Sequence, residues 1–278
     1  METGDNMKKI STLALFLTLT GLGLAAVQPA QPEHPGMAAF KAKDYATALK
    51  IWTPLAAQGD ANAQVNLGIM YMRGLGVDRN PEEAMQLFQA SAAKGNGQAE
   101  FQLGLMFAKG VGVQQDYGQA MRYYEMAAEQ GDADADYGIG RLFEEGFGVT
   151  QNDKAADGWY RKAAEHGVAP AEFNLSQMIA KGKGGEKRDD TAAFSWCKKA
   201  ADQGFGPAEA QLATMYERGE GVTANPEQAL FWSTLAAKQQ EKIAERQRAA
   251  LVAKMSPEAV ARAQKSASEW KPVLSASK

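Results

Sequence analysis

A unit of 36 residues recurs through the middle of the chain, in copies at 60–95, 96–131, 132–167, 168–204 (one residue longer) and 205–240. Self-similarity at such a period specifies a stack of small supersecondary units, each touching its neighbours, in place of one globular centre. It also means that most residues in the array owe their identity to their column in the repeat.

Counted from the first residue of each copy, position four is Ala63, Ala99, Ala135, Ala171 and Ala208. Position eight is Leu67, Leu103, Ile139, Leu175 and Leu212; position nine is Gly68, Gly104, Gly140, Ser176 and Ala213; position twelve is Tyr71, Phe107, Phe143, Ile179 and Tyr216. Steps of four place these residues on one helical face, with small ones where a neighbour comes close. A glycine then ends the helix (Gly74, Gly110, Gly146, Gly182, Gly219), supplying a left-handed residue at little steric cost.

A second glycine follows two residues on, and then a polar N-cap: Asn80, Asp116, Asn152, Asp189 or Asn225. Pro81 and Pro226 suit the first helical position, and Glu83, Gln119 and Gln228 complete a capping-box pattern. The second helix carries Ala84, Ala120, Ala156, Ala193 and Ala229, with Leu87, Tyr123, Trp159, Trp196 and Trp232 three residues later. Each unit therefore reads as a helical hairpin that buries its apolar face only by stacking.

The pattern, carried for example by AQVNLGIMYMRGLGVDRNPEEAMQLFQASAAKG, closely resembles the Sel1-like repeat, a relative of the tetratricopeptide repeat with a longer loop inside the hairpin. The resemblance covers about residues 60–240. It implies an all-α, right-handed α-solenoid of antiparallel helix pairs whose first helices line a concave face. The fourth copy departs from the pattern in GKGGEKRDD, which has an extra residue and lacks the usual Val.

Residues 28–59 read as a linker and a tetratricopeptide-like opening hairpin, with Asp44 as N-cap and Ala48 and Trp52 as packing residues. Residues 241–278 read as a helical cap: the last repeat helix extends from Leu235 to about Lys254, and Ser256–Pro257 starts another helix running to Trp270. Residues 1–27 carry Met7-Lys8-Lys9, an uncharged run from Ile10 to Val27, and small residues near Ala25. That is the form of a secretory signal peptide, with Met7 as the natural start and an uncleaved anchor as the alternative. The expectation is a periplasmic or secreted protein with no membrane span once the leader is removed.

A net charge of −3 argues against nucleic acid as the main partner. The single Cys197 excludes an internal disulfide framework, and its column, shared with Phe88, Tyr124 and Tyr160, reads as a buried packing position. The two histidines, His34 and His166, have no metal-site spacing, and the glycines form no phosphate loop, so no metal and no cofactor is expected. His166 suits the end of a helix, and the basic 182–188 stretch a solvated loop. The column Met70, Met106, Met178 and Met215, with Leu142, reads as packing in preference to a peptide-binding stripe.

Two Ser-x-x-Lys strings, Ser91–Lys94 and Ser195–Lys198, have the spacing of a serine nucleophile and its lysine. Some cysteine-rich Sel1-repeat relatives carry a β-lactamase label, so an enzyme acting on β-lactams or cell-wall peptides is the alternative. The strings fall in different repeat columns, no S-D-N or K-T-G accompanies them, and no catalytic residue is assigned.

Recognition is better placed on polar positions of the first helices. Position seven offers Asn66, Gln102, Asn174 and Gln211, and position fourteen offers Arg73, Lys109, Lys181 and Arg218; Arg141 joins them from the third copy. Carboxamides satisfy both donors and acceptors of a peptide backbone, and a basic column clamps carboxylates. The sequence thus predicts a non-enzymatic scaffold binding a protein or peptide on its concave surface, or failing that a structural spacer in an envelope complex.

Overall fold

The computed structural model describes residues 33–185, 187–239 and 242–273; the candidate leader at 1–27 lies outside the described residues. The unit His34–Lys278 is all-helical among those residues. The opening hairpin is α1 (Met37–Lys41) and α2 (Tyr45–Ala57). Five hairpins follow: α3 (Ala61–Arg73) with α4 (Pro81–Ala92), α5 (Gly97–Lys109) with α6 (Tyr117–Glu129), α7 (Ala133–Glu145) with α8 (Asp153–Glu165), α9 (Ala169–Lys181) with α10 (Asp190–Asp202), and α11 (Gly206–Arg218) with α12 (Pro226–Lys238). Helices α13 (Lys242–Val252) and α14 (Pro257–Glu269) close the array. Consecutive helices pack on one another from α1 to α13, and α14 packs back on α12; this is the α-solenoid the repeat predicts.

Local chemistry sets the helix ends. Asn80, Asp116 and Asn225 accept the N–H of the third helical residue at 3.0–3.1 Å, as N-caps do. The capping box, however, takes a different form from the expected one. The backbone N–H of Asn80, Asp116, Asn152 and Asn225 goes to the carbonyl of Tyr71, Phe107, Phe143 and Tyr216, at 2.8–3.0 Å. Those carbonyls lie in the open last turn of the preceding helix, so one bond satisfies an orphan acceptor and closes the loop. The lengthened fourth loop keeps this closure, Asp189 N–H reaching Ile179 O at 3.3 Å, and Gly185 joins Gly184 at positive φ.

The first glycine of each loop caps its helix in the left-handed conformation, as at Gly146 with φ 71°. The second makes a close approach as well. A Cβ added at Gly148 would lie 2.6 Å from Cβ of Tyr117, so each loop seats on the second helix of the hairpin before it.

Among the described residues the core falls into clusters along the array, the largest of which runs continuously from α8 to α12 and takes in Ala267 of α14. Met70, Met106, Leu142, Met178 and Met215 are all buried, which assigns that column to packing. Cys197 is buried too, and burial pushes its thiol up to about 12.

At the ends two sequence expectations change. His34, read as linker, bonds Asp60 through Nε2 at 3.0 Å, while Trp52 donates Nε1–H to Pro35 O at 2.5 Å. The expected continuous helix from Leu235 to about Lys254 is two helices, α12 ending at Lys238 and α13 beginning at Lys242. The break follows the repeat's own terminator: Gln239 turns back to donate to Gly204 O at 3.1 Å and to the carboxylate of Glu209 at 2.9 Å.

Candidate functional site

Helices α5 and α7 open consecutive hairpins and touch each other directly, so their outer faces form the walls of one shallow valley. A cleft of about 510 Å³ lies there. From α5 it takes Phe101, Leu105, Ala108 and Lys109, spaced at three and four residues and therefore on one helical stripe. From α7 it takes Asp134, Tyr137, Gly138, Arg141 and Leu142 by the same periodicity. Tyr117 and Tyr124 of α6, Phe147 of the following loop and Pro170 complete it.

The aromatic lining is held by its own contacts. Tyr117 and Phe147 stack with centroids 4.8 Å apart and planes 11° from parallel. Gln115 donates Nε2–H to the Tyr117 hydroxyl at 2.9 Å and to Ala108 O at 2.8 Å, tying the rim to the end of α5. Phe101 leans on Tyr124 with centroids 6.0 Å apart. Gly138 lies close against the Tyr124 ring; an added Cβ would sit 3.0 Å from it.

Two cations and one carboxylate border this apolar floor. Arg141 and Lys109 are exposed and make no ion pair among the described residues. Burial pushes the Tyr124 phenol up to about 12 and also raises Tyr137, the nearby Arg141 charge opposing both shifts. Both phenols are thus neutral donors at ordinary pH. Burial likewise lifts the Asp134 carboxyl above its usual range.

The sequence-predicted residues divide. Lys109 and Arg141 meet in the cleft. Arg73, Lys181 and Arg218 instead occupy the last turns of α3, α9 and α11, where a cation complements the helix dipole, and Lys109 also does this for α5. Lys181 donates to Gln177 at 3.3 Å and Arg218 to Glu220 at 3.4 Å. Asn66, Gln102, Asn174 and Gln211 are half-buried on four separate first helices. Of the nine, Lys109 and Arg141 line the cleft.

Sequence reasoning missed Phe101, Tyr117, Asp134, Tyr137 and Phe147. Phe147 carried a legible signal, because the other copies place Leu75, Val111, Lys183 and Glu220 in its column.

Three of the four residues in the Ser-x-x-Lys strings have other partners. Ser91 is buried and donates to Ala61 O at 2.9 Å, and Lys94 reaches the Gly59 carbonyl. Lys198 bonds the Asp202 carboxylate at 2.6 and 2.8 Å. Among the described residues no group of three or more His, Cys, Asp or Glu is placed to hold a metal, and no helix is long and apolar enough to cross a membrane.

Comparison with known proteins agrees with the architecture. The Sel1 repeat model matches at residues 61–96, 97–132, 133–168, 169–205 and 206–241. A Sel1 repeat protein from Oxalobacter formigenes is similar at 33% identity, covering 85% of this chain and 97% of its own, with a TM-score of 0.70. A protective antigen of uropathogenic Escherichia coli with an SLR fold is 27% identical over 83% of this chain and 58% of its own, with a TM-score of 0.52. An immunity protein from Pseudomonas aeruginosa shares the fold at 18% identity over 79% of this chain and 85% of its own, with a TM-score of 0.52. No curated protein sequence matches the chain. With five matched repeats and a solved relative at this identity, the chain belongs to the Sel1 repeat family.

Proposed function

We propose that the chain is an exported, non-enzymatic scaffold that binds a protein or peptide partner in the cleft between the second and third repeats. The observation that carries this is the cleft itself, an aromatic floor bordered by two cations without ion-pair partners on the first-helix face. Sel1 repeat proteins are in general scaffolds that mediate protein interactions, which supports the reading. Export to the periplasm or beyond rests on the leader-like residues 7–27.

The test is photocrosslinking in cells with the crosslinker at Phe101 or Leu105, and at Gln89 on the exposed face of α4 as a control. A discrete partner captured from Phe101 and Leu105 but not from Gln89 is expected. Equal capture from all three positions, or none from the cleft, would overturn the assignment. Fractionation of the same cells checks export, which a cytoplasmic pool retaining residues 7–27 would contradict.

A further inference from the structure

Three departures from the repeat converge in this one cleft. Position seven, a carboxamide in the other copies, is Gly138. Position ten, which is Ile69, Leu105, Gln177 and Thr214 elsewhere, is Arg141. Position sixteen, which is Leu75, Val111, Lys183 and Glu220 elsewhere, is Phe147. All three lie on the lining, and hairpin stacking requires none of them, since four copies stack with other residues there.

Arg141 has no helix-end duty, unlike Lys109. It sits four residues before the end of α7, away from the open carbonyls of the last turn that Lys109 complements in α5. Its possible internal partners are committed or apart. Glu144 accepts from the Tyr160 hydroxyl at 2.6 Å, Glu145 makes no ion pair among the described residues, and both adjacent phenols stay neutral. An exposed guanidinium in a lining it shares with aromatic side chains and a second cation suits a carboxylate held in a two-pronged bond.

The opposite end has opposite sign. Asp134 precedes Arg141 by seven residues on the same stripe of α7, a rise of about 10 Å. An extended chain covers that distance in about three residues. Tyr137 and Gly138 lie between the two charges on α7, and Phe101 and Leu105 of α5 share the lining.

We propose that the cleft takes an extended peptide segment in which an apolar side chain, preferably aromatic, stands within about three residues of a carboxylate. The apolar group lies on Tyr137 and Phe101 above Gly138, the carboxylate meets Arg141 with Lys109 beside it, and Asp134 disfavours the reversed orientation. This rests on the cleft being the partner site, which the crosslinking above examines separately.

The probe is a fluorescein-labelled peptide amide, Gly-Ser-Phe-Ser-Asp-Gly, titrated against the full chain by fluorescence anisotropy. Replacing its Asp by Asn, or its Phe by Ala, is expected to weaken binding about tenfold. Arg141→Gln should abolish the preference for Asp over Asn, and Arg141→Glu should shift preference to the Asp-to-Lys peptide. Gly138→Asn, which restores the carboxamide of the other copies, should weaken the Phe peptide and leave the Ala peptide unchanged. Circular dichroism melting identifies which variants remain folded, and Arg141→Gln on an exposed site serves if Gly138→Asn does not fold.

Equal binding of the Asp and Asn peptides to the wild-type chain, or no binding of either at millimolar concentration, would overturn the proposal. So would an unaltered Asp preference in Arg141→Gln. A partner crosslinked through Phe101 alongside such a result would refute the peptide chemistry and leave the site standing.

Discussion

Two columns of the repeat compensate each other in volume. Where position nine is glycine, the facing residue of the second helix is a ring: a Cβ at Gly68, Gly104 or Gly140 would lie 2.6, 2.5 or 2.7 Å from Phe88, Tyr124 or Tyr160. Where position nine is Ser176 or Ala213, the corresponding residue is the small Cys197 or Ser233. Close-packed interiors leave no slack for both members to be large. Gly140→Ala should therefore destabilise the chain by about 1–3 kcal/mol, with a much smaller penalty in a Tyr160→Cys background. Urea denaturation of the two singles and the double would show it, and additive effects would contradict the pairing. Both columns were legible in the sequence. Their opposition was not, because residues twenty apart face each other only once the hairpin angle is known.

Between the helices of a hairpin runs a second, less visible column. Position five is Gln64, Glu100, Asp136, Glu172 and Glu209, all buried at the start of a first helix. In three hairpins the glutamine that ends the second helix reaches back to it: Gln130 to Glu100 at 2.5 Å, Gln203 to Glu172 at 2.8 Å, and Gln239 to Glu209 at 2.9 Å. In the third hairpin Lys162 bonds Asp136 at 2.7 Å. Burial is the main cause lifting all four carboxyls, Glu172 and Glu209 to about 7, and one oxygen of Glu209 is buried with no partner.

An acid raised on folding holds its proton in the folded chain after the unfolded chain has lost it. Stability from Glu172 and Glu209 is thus full below about pH 4.5 and is lost as pH rises to about 7. Melting temperature should fall across that interval. Glu172→Gln and Glu209→Gln should each flatten the fall and raise stability at pH 8 by on the order of 1–3 kcal/mol. Gln64 already occupies the column in the first hairpin, donating to Ala56 O at 3.2 Å, so the amide fits. A Gln variant that melts lower than wild type at pH 8 would refute the account. The acids are visible in the sequence, but as helix-start residues they read as surface charges; only the closing of the hairpin buries them.

The array as a whole was the most legible feature, since period, glycines and caps fall in phase in five copies. The cleft was less so, because it depends on which helix stripes turn toward each other across a joint. Lys109 and Arg141 were selected for their charge, and the aromatic walls that give those charges a context come from columns that vary for no reason visible in one dimension. The closing segment was half legible. Ser256 does cap α14, but its docking is tertiary: Trp270 meets Trp232 with centroids 5.9 Å apart, Arg262 bonds Glu227 at 2.9 and 3.0 Å, and Val273 N–H reaches Asp202 O at 2.8 Å. Trp270→Ala should cost about 1–3 kcal/mol, and ending the chain at Met255 should uncover the last hairpin and promote self-association. Thermal melting and light scattering would read both; a truncated chain that stays monomeric with unchanged melting would show that the segment is dispensable.

The seating of Gly148 on Tyr117 has a mechanical consequence. It clamps the loop of one hairpin to the helix of the hairpin before it, and the stacked Tyr117–Phe147 pair that forms one wall of the cleft straddles the same joint. Bending the solenoid there would change the width of the cleft, so a segment held in it as proposed would act as a splint. Tension along the array would be felt by that ligand as faster release.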